Sequence, residues 1–239
     1  MKKILVYGGS GSVGSQVARM LHEKGYPLHL VGAHKERLIA VADELKATYT
    51  LADVRDPEIF GRVSQDAGKE LGGLVYGVGT INLKSIRRMT PDDFLEDFRI
   101  NALGAALAVQ TALPALKKGG QDASVVLYSS IAARHGFSLH TSIGMAKAAV
   151  EGLVVSLAAE LSPGIRVNAV APSLLDGSRL SQGMLENPST REAIIRNHPL
   201  QRLGKPQDIA AMTVFLLSPE ASWITGQVLG VDGGRSVIP

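Results

Sequence analysis

Short apolar runs alternate along this chain with longer stretches of helical period. The runs fall at residues 4–7, 28–31, 49–52, 74–76, 125–128, 166–170 and 228–231, and their mostly apolar character fits strands buried on both faces. Between them, residues 13–24, 36–44, 57–67, 91–116, 142–161 and 206–217 carry helical patterns. Several of these open on Pro or follow Ser or Asp, as helix N-termini prefer. The alternation predicts βαβ units, hence an α/β fold in three layers: a doubly wound parallel sheet of about seven strands with helices on both faces. No internal repeat or low-complexity linker divides the pattern, and residues 1–239 are expected to form one domain. Residues 173–199 stand apart. They are rich in Ser, Asn, Gly and Pro around one short amphipathic piece, the composition of a mobile lid over a site.

Composition narrows the class. A 45% hydrophobic content over 239 residues supplies one good core. The chain has no cysteine, so disulfides and thiolate metal sites are excluded and a reducing, cytoplasmic setting is expected. The histidines and carboxylates show no metal-ligand spacing, so no metal is expected. The opening basic pair Lys2-Lys3 precedes an apolar run that stops at Gly8, too short for a secretory core. Residues 100–116 are apolar but contain Asn101, Gln110 and Pro114 and fall short of the roughly 20 residues a membrane span needs, so no membrane is expected. The net charge of +3 is small and the basic residues are scattered, which leaves no nucleic-acid footprint.

The first strand-to-helix turn, Gly8-Gly9-Ser10-Gly11-Ser12-Val13-Gly14, carries candidate chemistry. Glycines there let backbone N–H groups approach a pyrophosphate at the positive end of the helix, and the run fits both G-x-G-x-x-G and G-x-x-G-x-x-G. A purely structural turn uses glycine too, so it is the strand-turn-helix context that points to a dinucleotide held by Gly8, Ser10, Gly11, Ser12, Val13 and Gly14. The second strand ends at Val31-Gly32-Ala33-His34-Lys35, where an acid would bind the ribose 2′-OH of NAD. His34, Lys35 and Arg37 stand there instead and suit a 2′-phosphate, favouring NADP (NADPH) over NAD; solvation at a helix start is their plainer use. Asp53 and Val54 follow the third strand, placed to border an adenine, although Asp at a strand end also serves as a helix cap.

Longer runs carry a resemblance. Residues Arg166-Val167-Asn168-Ala169-Val170-Ala171-Pro172, the stretch from Pro199 through Arg202-Leu203-Gly204-Lys205-Pro206 to Ala210, Ile224-Thr225-Gly226-Gln227 and Val231-Asp232-Gly233-Gly234 resemble the short-chain dehydrogenase/reductase family of Rossmann-fold oxidoreductases. The similarity runs from Ile4 to about Gly234 and is nearest to the group that includes 3-oxoacyl-carrier-protein reductases. It implies hydride transfer between a nicotinamide and a carbonyl or alcohol, with a Tyr handling the proton. By position, Ser130 matches the residue that bonds the substrate oxygen, Lys147 the one that lowers the Tyr pKa and holds the ribose, and Asn101 the one that fixes a water beside the Lys. Gly77, Gly79 and Pro172 fall among the implied cofactor contacts. The Tyr is expected one helical turn before Lys147, where the chain has Ile143. Other departures accompany it: Ser12 replaces the central glycine of the turn, Tyr76-Gly77-Val78-Gly79 replaces Asn-Asn-Ala-Gly, and Ser173 follows Pro172 in place of Gly.

Isoleucine neither donates nor accepts a proton. Enoyl reductases of the same superfamily place their Tyr seven residues before the Lys, and here that position is His140, on the same stripe as Lys147 if the helix reaches back so far. Tyr76 and Tyr128 sit at strand ends, where packing or a cofactor contact is the expected role. Three functions remain: an NAD(P)H-dependent oxidoreductase with an altered proton path acting on a carbonyl, alcohol or activated alkene; a cofactor-binding protein without turnover; and a structural partner of an active relative. Leu174, Leu175, Leu180, Met184 and Leu185 suit either an apolar or acyl small-molecule substrate or the packing of the lid itself. Residues 91–116 and 142–161 are apolar on more than one face and rich in Ala and Gly, which predicts a homodimer or homotetramer.

Overall fold

A computed structural model describes residues 1–120 and 122–238, the side chain of Met184 excepted. Its strands are β1 Ile4–Tyr7, β2 Leu28–Gly32, β3 Thr48–Leu51, β4 Gly73–Tyr76, β5 Ala123–Tyr128, β6 Ile165–Pro172 and β7 Val228–Val231. They form one parallel sheet in the order β3-β2-β1-β4-β5-β6-β7. The helices are α1 Ser12–Glu23, α2 Lys35–Glu44, α3 Ile59–Ala67, α4 Pro91–Phe98, α5 Gly104–Lys118, α6 Thr141–Leu161, α7 Gln182–Leu185, α8 Pro188–Arg196 and α9 Pro206–Leu217.

The two faces of the sheet bury different side chains because residues alternate across a strand. On β1, Ile4 and Val6 join α1, α2 and α9 through Val17, Leu21, Leu38, Ile209 and Val214, whereas Leu5 and Tyr7 join α3, α5 and α6 through Phe60, Val63, Ala108, Val109 and Val154. The strand order reverses between β1 and β4, since β2 and β3 lie to one side and β5 to β7 to the other. A crevice opens at such a switch point beyond the C-terminal strand ends, and it positions the site.

Two departures from the sequence pattern matter. The helix expected over 91–116 is interrupted: α4 ends at Phe98, a π turn spans Arg99–Leu103, and α5 follows. The Tyr76 hydroxyl explains the break, because it donates to the Ile100 carbonyl at 2.7 Å inside that turn. Gly104 makes room for it, since a Cβ there would lie 2.1 Å from the hydroxyl oxygen. The segment 173–199 also holds two short helices, α7 and α8, where one amphipathic piece was expected. Helix α6 is long and apolar enough to cross a membrane by length and composition, yet it lies along the sheet with Ala146, Val150, Val154 and Ala158 buried.

Candidate active site

The crevice is a groove with two connected halves that share Val13, Gly77, Val78, Gly79 and Thr80. One half, about 480 Å³, is walled by the first glycine turn, by Gly32, Ala33, His34 and Arg37 beyond β2, and by Ala52, Asp53, Val54 and Arg55 beyond β3. Steric demands set its shape. Gly8 has φ +76°, and a Cβ there would meet the Gly77 carbonyl oxygen at 2.6 Å; at Gly14 a Cβ would lie 2.1 Å from the Gly8 oxygen. The chain can therefore lay α1 directly on the turn. The first-turn amides of α1 face the groove end without intrahelical partners, because the ladder begins with Ser15 N–H to the Gly11 carbonyl at 2.9 Å and no side chain caps the helix. Such amides and the helix dipole suit a diphosphate.

The other half, about 390 Å³, is mainly apolar. Ser130 heads a short 3-10 turn; its Oγ accepts from the Ala132 amide at 3.1 Å and donates to the Pro172 carbonyl at 3.5 Å. On α6, Ile143 and Lys147 stand one turn apart and both line the cavity, Ile143 being 3% exposed. The Lys147 ammonium, 8% exposed, donates to the Tyr128 carbonyl at 2.9 Å. Burial pulls its pKa down to about 8, against a smaller upward pull from the Asp97 carboxylate.

Behind Lys147 the π turn aims Asn101 inward. Its amide donates to Thr80 Oγ1 and to the Asp97 carbonyl, each at 2.9 Å, and Thr80 in turn donates to Asp97 Oδ1 at 2.6 Å. Asn101 Oδ1 is buried with no partner among the described residues. A Cβ on Gly79 would lie 2.8 Å from that oxygen and 3.4 Å from Lys147 Nζ, so acceptor and ammonium converge on one point at the groove wall.

Comparison with known proteins fits this geometry. A family model described as enoyl-(acyl carrier protein) reductase matches residues 8–236. The chain belongs to the short-chain dehydrogenase/reductase family. It is 30% identical to a 3-oxoacyl-[acyl-carrier-protein] reductase of Rickettsia felis over 240 residues, covering 99% of this chain and 98% of that protein. A short-chain type dehydrogenase/reductase from Mycobacterium ulcerans superposes with a TM-score of 0.93 at 28% identity, covering 99% of this chain and 90% of that one. A structure of ElxO with NADP bound gives 0.89 at 27% identity over 98% and 99% of the two chains.

In this dehydrogenase/reductase fold the turn residues Gly8, Ser10, Gly11, Ser12, Val13 and Gly14 gather with His34, Asp53, Val54, Gly77 and Gly79. Ser130, Lys147, His140 and Pro172 line the apolar half. Asn101 is fully buried behind the wall. Lys35 is the exception, for it opens α2 as an exposed residue and is not among the groove-lining side chains; Arg37, two residues later, is. His140 precedes α6 and its carbonyl accepts the Gly144 amide at 2.7 Å, so the helical ladder does reach back to it. Its Nδ1 lies 2.7 Å from the Ser138 carbonyl and its ring packs on Phe137. Both tyrosine hydroxyls are committed inward, Tyr76 to Ile100 and Tyr128 to Thr213, and burial raises both pKa values.

Several lining residues escaped sequence reasoning: Thr80, Arg55, Arg179, Ser173 as a site residue, His198 and Arg235. Arg179 donates to the Ser10 carbonyl at 3.4 Å and so bridges the 173–199 segment to the glycine turn. Arg235 lies over the Phe137 ring at 5.9 Å. For Ser173, Arg179 and His198 the only sequence signal is membership of the lid, and for Arg235 its place after the C-terminal Gly-Gly pair; Arg55 and Thr80 carry none.

Proposed function

We propose that this chain is an NAD(P)H-dependent oxidoreductase that interconverts a carbonyl and an alcohol or reduces an activated alkene, with an altered source for the proton. The observation that carries the reading is the buried Lys147 ammonium converging with Asn101 Oδ1 on the groove wall beside Ser130, at the point where the glycine-lined half meets the apolar half. Packing alone gives no reason to bury an ammonium there.

The groove fits a nicotinamide dinucleotide on its own terms. The first-turn amides of α1 with Ser10 to Gly14 suit the diphosphate, and Asp53 and Val54 border the adenine end. His34 and Arg37 line the groove beyond β2, where residues 31–35 hold no acid, and favour NADP over NAD, in keeping with the NADP named in the ElxO structure. When bound, the cofactor supplies or takes hydride. The chain's own residues do the rest: Ser130 donates to the substrate oxygen, while Lys147, held by the Tyr128 carbonyl and facing Asn101, secures the ribose. Ile143 occupies the place of the family's proton-handling Tyr and leaves that place without an acid. The sequence nominates His140 instead.

Residues 173–199 serve as a lid over the apolar half, and Leu174, Leu175 and Leu180, which line it, suit an apolar or acyl small-molecule substrate. The chain works as a homodimer or homotetramer in the cytoplasm, with no nucleic-acid or membrane partner.

Ile143 also favours a second reading, a family member that binds cofactor without turnover. Fluorescence titration with NADPH and NADH, followed by assays of wild type and Ile143→Tyr on carbonyl compounds and enoyl thioesters, separates the two. Tight NADPH binding with wild-type turnover supports the oxidoreductase. Binding with turnover only in Ile143→Tyr supports the silenced site. Binding of neither cofactor overturns both.

A further inference from the structure

The apolar half of the groove holds a hydroxyl–imidazole pair formed by the two ends of the lid. Ser173 Oγ lies 2.8 Å from His198 Nε2, and His198 Nδ1 lies 2.7 Å from the Ile194 carbonyl oxygen. A carbonyl oxygen only accepts, so Nδ1 carries a proton and donates it to Ile194. In the neutral ring, Nε2 is then an acceptor and the Ser173 hydroxyl donates to it. In the imidazolium Nε2 donates instead, and the hydroxyl is released to donate into the cavity. His198 is 2% exposed, and Ser173 lines the same cavity as Ser130, Ile143 and Lys147. Ser130 Oγ reaches the carbonyl of Pro172, the residue before Ser173, which brings the two hydroxyl-bearing segments together.

We propose that Ser173 delivers the proton to the substrate oxygen in this chain, and that His198 is the positioning residue that orients Ser173 and restores its proton. The proposal rests on the oxidoreductase reading and supplies what Ile143 cannot. In the reducing direction the carbonyl carbon gains hydride from the nicotinamide donor, and the carbonyl π pair moves to oxygen. That oxygen takes the Ser173 Oγ proton as Ser173 takes the Nε2 proton of His198. The product is the alcohol, and His198 is left neutral with Nδ1–H still on Ile194. Solvent reprotonates it before the next turnover.

The other candidates in the cavity are worse placed. Lys147 is committed to the Tyr128 carbonyl, the Tyr128 hydroxyl to Thr213, and His140 has no hydroxyl partner. The charged groups sharing the cavity with His198 are Arg235 from the C-terminal segment and Lys147 and His140 from around α6. A Cβ on Gly233 would lie 3.7 Å from the imidazole, and the neighbouring Asp232 carboxylate is engaged by the amides of Gly234 and Ser236. On α8, Glu192 pairs with Arg196 at the surface.

Two measurements test the pair. In cofactor-free protein, nitrogen-15 NMR of the histidines is expected to show neutral His198 as the Nδ1–H tautomer; an Nε2–H tautomer overturns the proposal. In steady-state kinetics with NADPH, Ser173→Ala and His198→Gln are each expected to lower kcat by about 10²- to 10⁴-fold with little change in KM. Ser173→Thr, which keeps the hydroxyl, restores kcat, and His198→Gln removes the limb of the kcat–pH profile that reports a protonated group. If the bond only staples the lid, the variants raise KM and lower Tm but leave kcat and its pH profile intact, which overturns the proposal. A loss of kcat confined to His140→Ala overturns it as well. NADPH binding without wild-type turnover overturns the proton path alone, whereas no binding overturns the oxidoreductase reading with it.

Discussion

Lys147 and His29 are both basic side chains kept from water, and each makes stability depend on pH. For Lys147 the folded pKa of about 8 lies below the ordinary 10.5, so the unfolded chain holds the proton more tightly. Below about 8 the folded state carries a buried charge at full cost, and the cost fades as pH rises toward 10.5. Lys147→Met is therefore expected to raise stability at pH 7 by about 1–3 kcal/mol, after loss of the bond to Tyr128, and to weaken nicotinamide binding. Urea unfolding beside cofactor titration checks both, and a less stable Met variant refutes the assignment. His29, on β2, bonds Thr48 and Thr50 through its two ring nitrogens, and burial lowers its pKa to about 4. Its contribution is present above the ordinary value of about 6.5 and is lost as pH falls to about 4. Of the acid destabilisation of the wild type, about 3 kcal/mol is expected in that window and to be missing from His29→Gln. Urea midpoints measured from pH 4 to 7 read it. The Ile143 position was legible from the residues alone, because a helix fixes what stands one turn before a lysine. The pairing of Ser173 with His198 was not, because it joins residues whose distance the lid conformation sets.

At the scale of elements, β1, β7 and α9 have the bounds their sequence pattern predicts. Pro206 opens α9, and Asp208 closes its first turn by accepting from the Lys205 amide at 2.7 Å, signals contained within a few residues. The break between α4 and α5 has no such signal. Residues 91–116 have helical period throughout, and only the approach of Tyr76 from β4 makes the π turn worthwhile. Gly104→Ala is expected to destabilise the fold by about 1–3 kcal/mol, since the added Cβ overlaps the Tyr76 hydroxyl. Adding Tyr76→Phe removes the overlapping oxygen and should recover part of that loss. A double-mutant cycle by thermal unfolding measures the coupling, and strict additivity would refute this account of the π turn.

Across the whole molecule, α6 presents Met145, Ala148, Gly152, Val155 and Ala159 to solvent at alternating spacings of three and four residues. A small, apolar stripe on a helix whose other face is already buried suits close approach of a second copy. Sedimentation at micromolar concentration is expected to show a dimer or tetramer, with Val155→Arg shifting it toward monomer; a monomeric wild type sinks the idea. Trp223, the single tryptophan, is 99% exposed, so its emission reports whether assembly also covers that corner. The sequence by itself determined the succession of strands and helices along the chain, the parallel sheet and the glycine turn after its first strand. Those follow from side-chain period and from steric limits acting over a handful of neighbouring residues. Only the tertiary structure decided that Asn101 faces Lys147 through a π turn, that Arg37 rather than Lys35 reaches the groove, and that Ser173, His198 and Arg235 share one cavity. Such meetings depend on how packed layers bring distant segments together, and no local pattern encodes them.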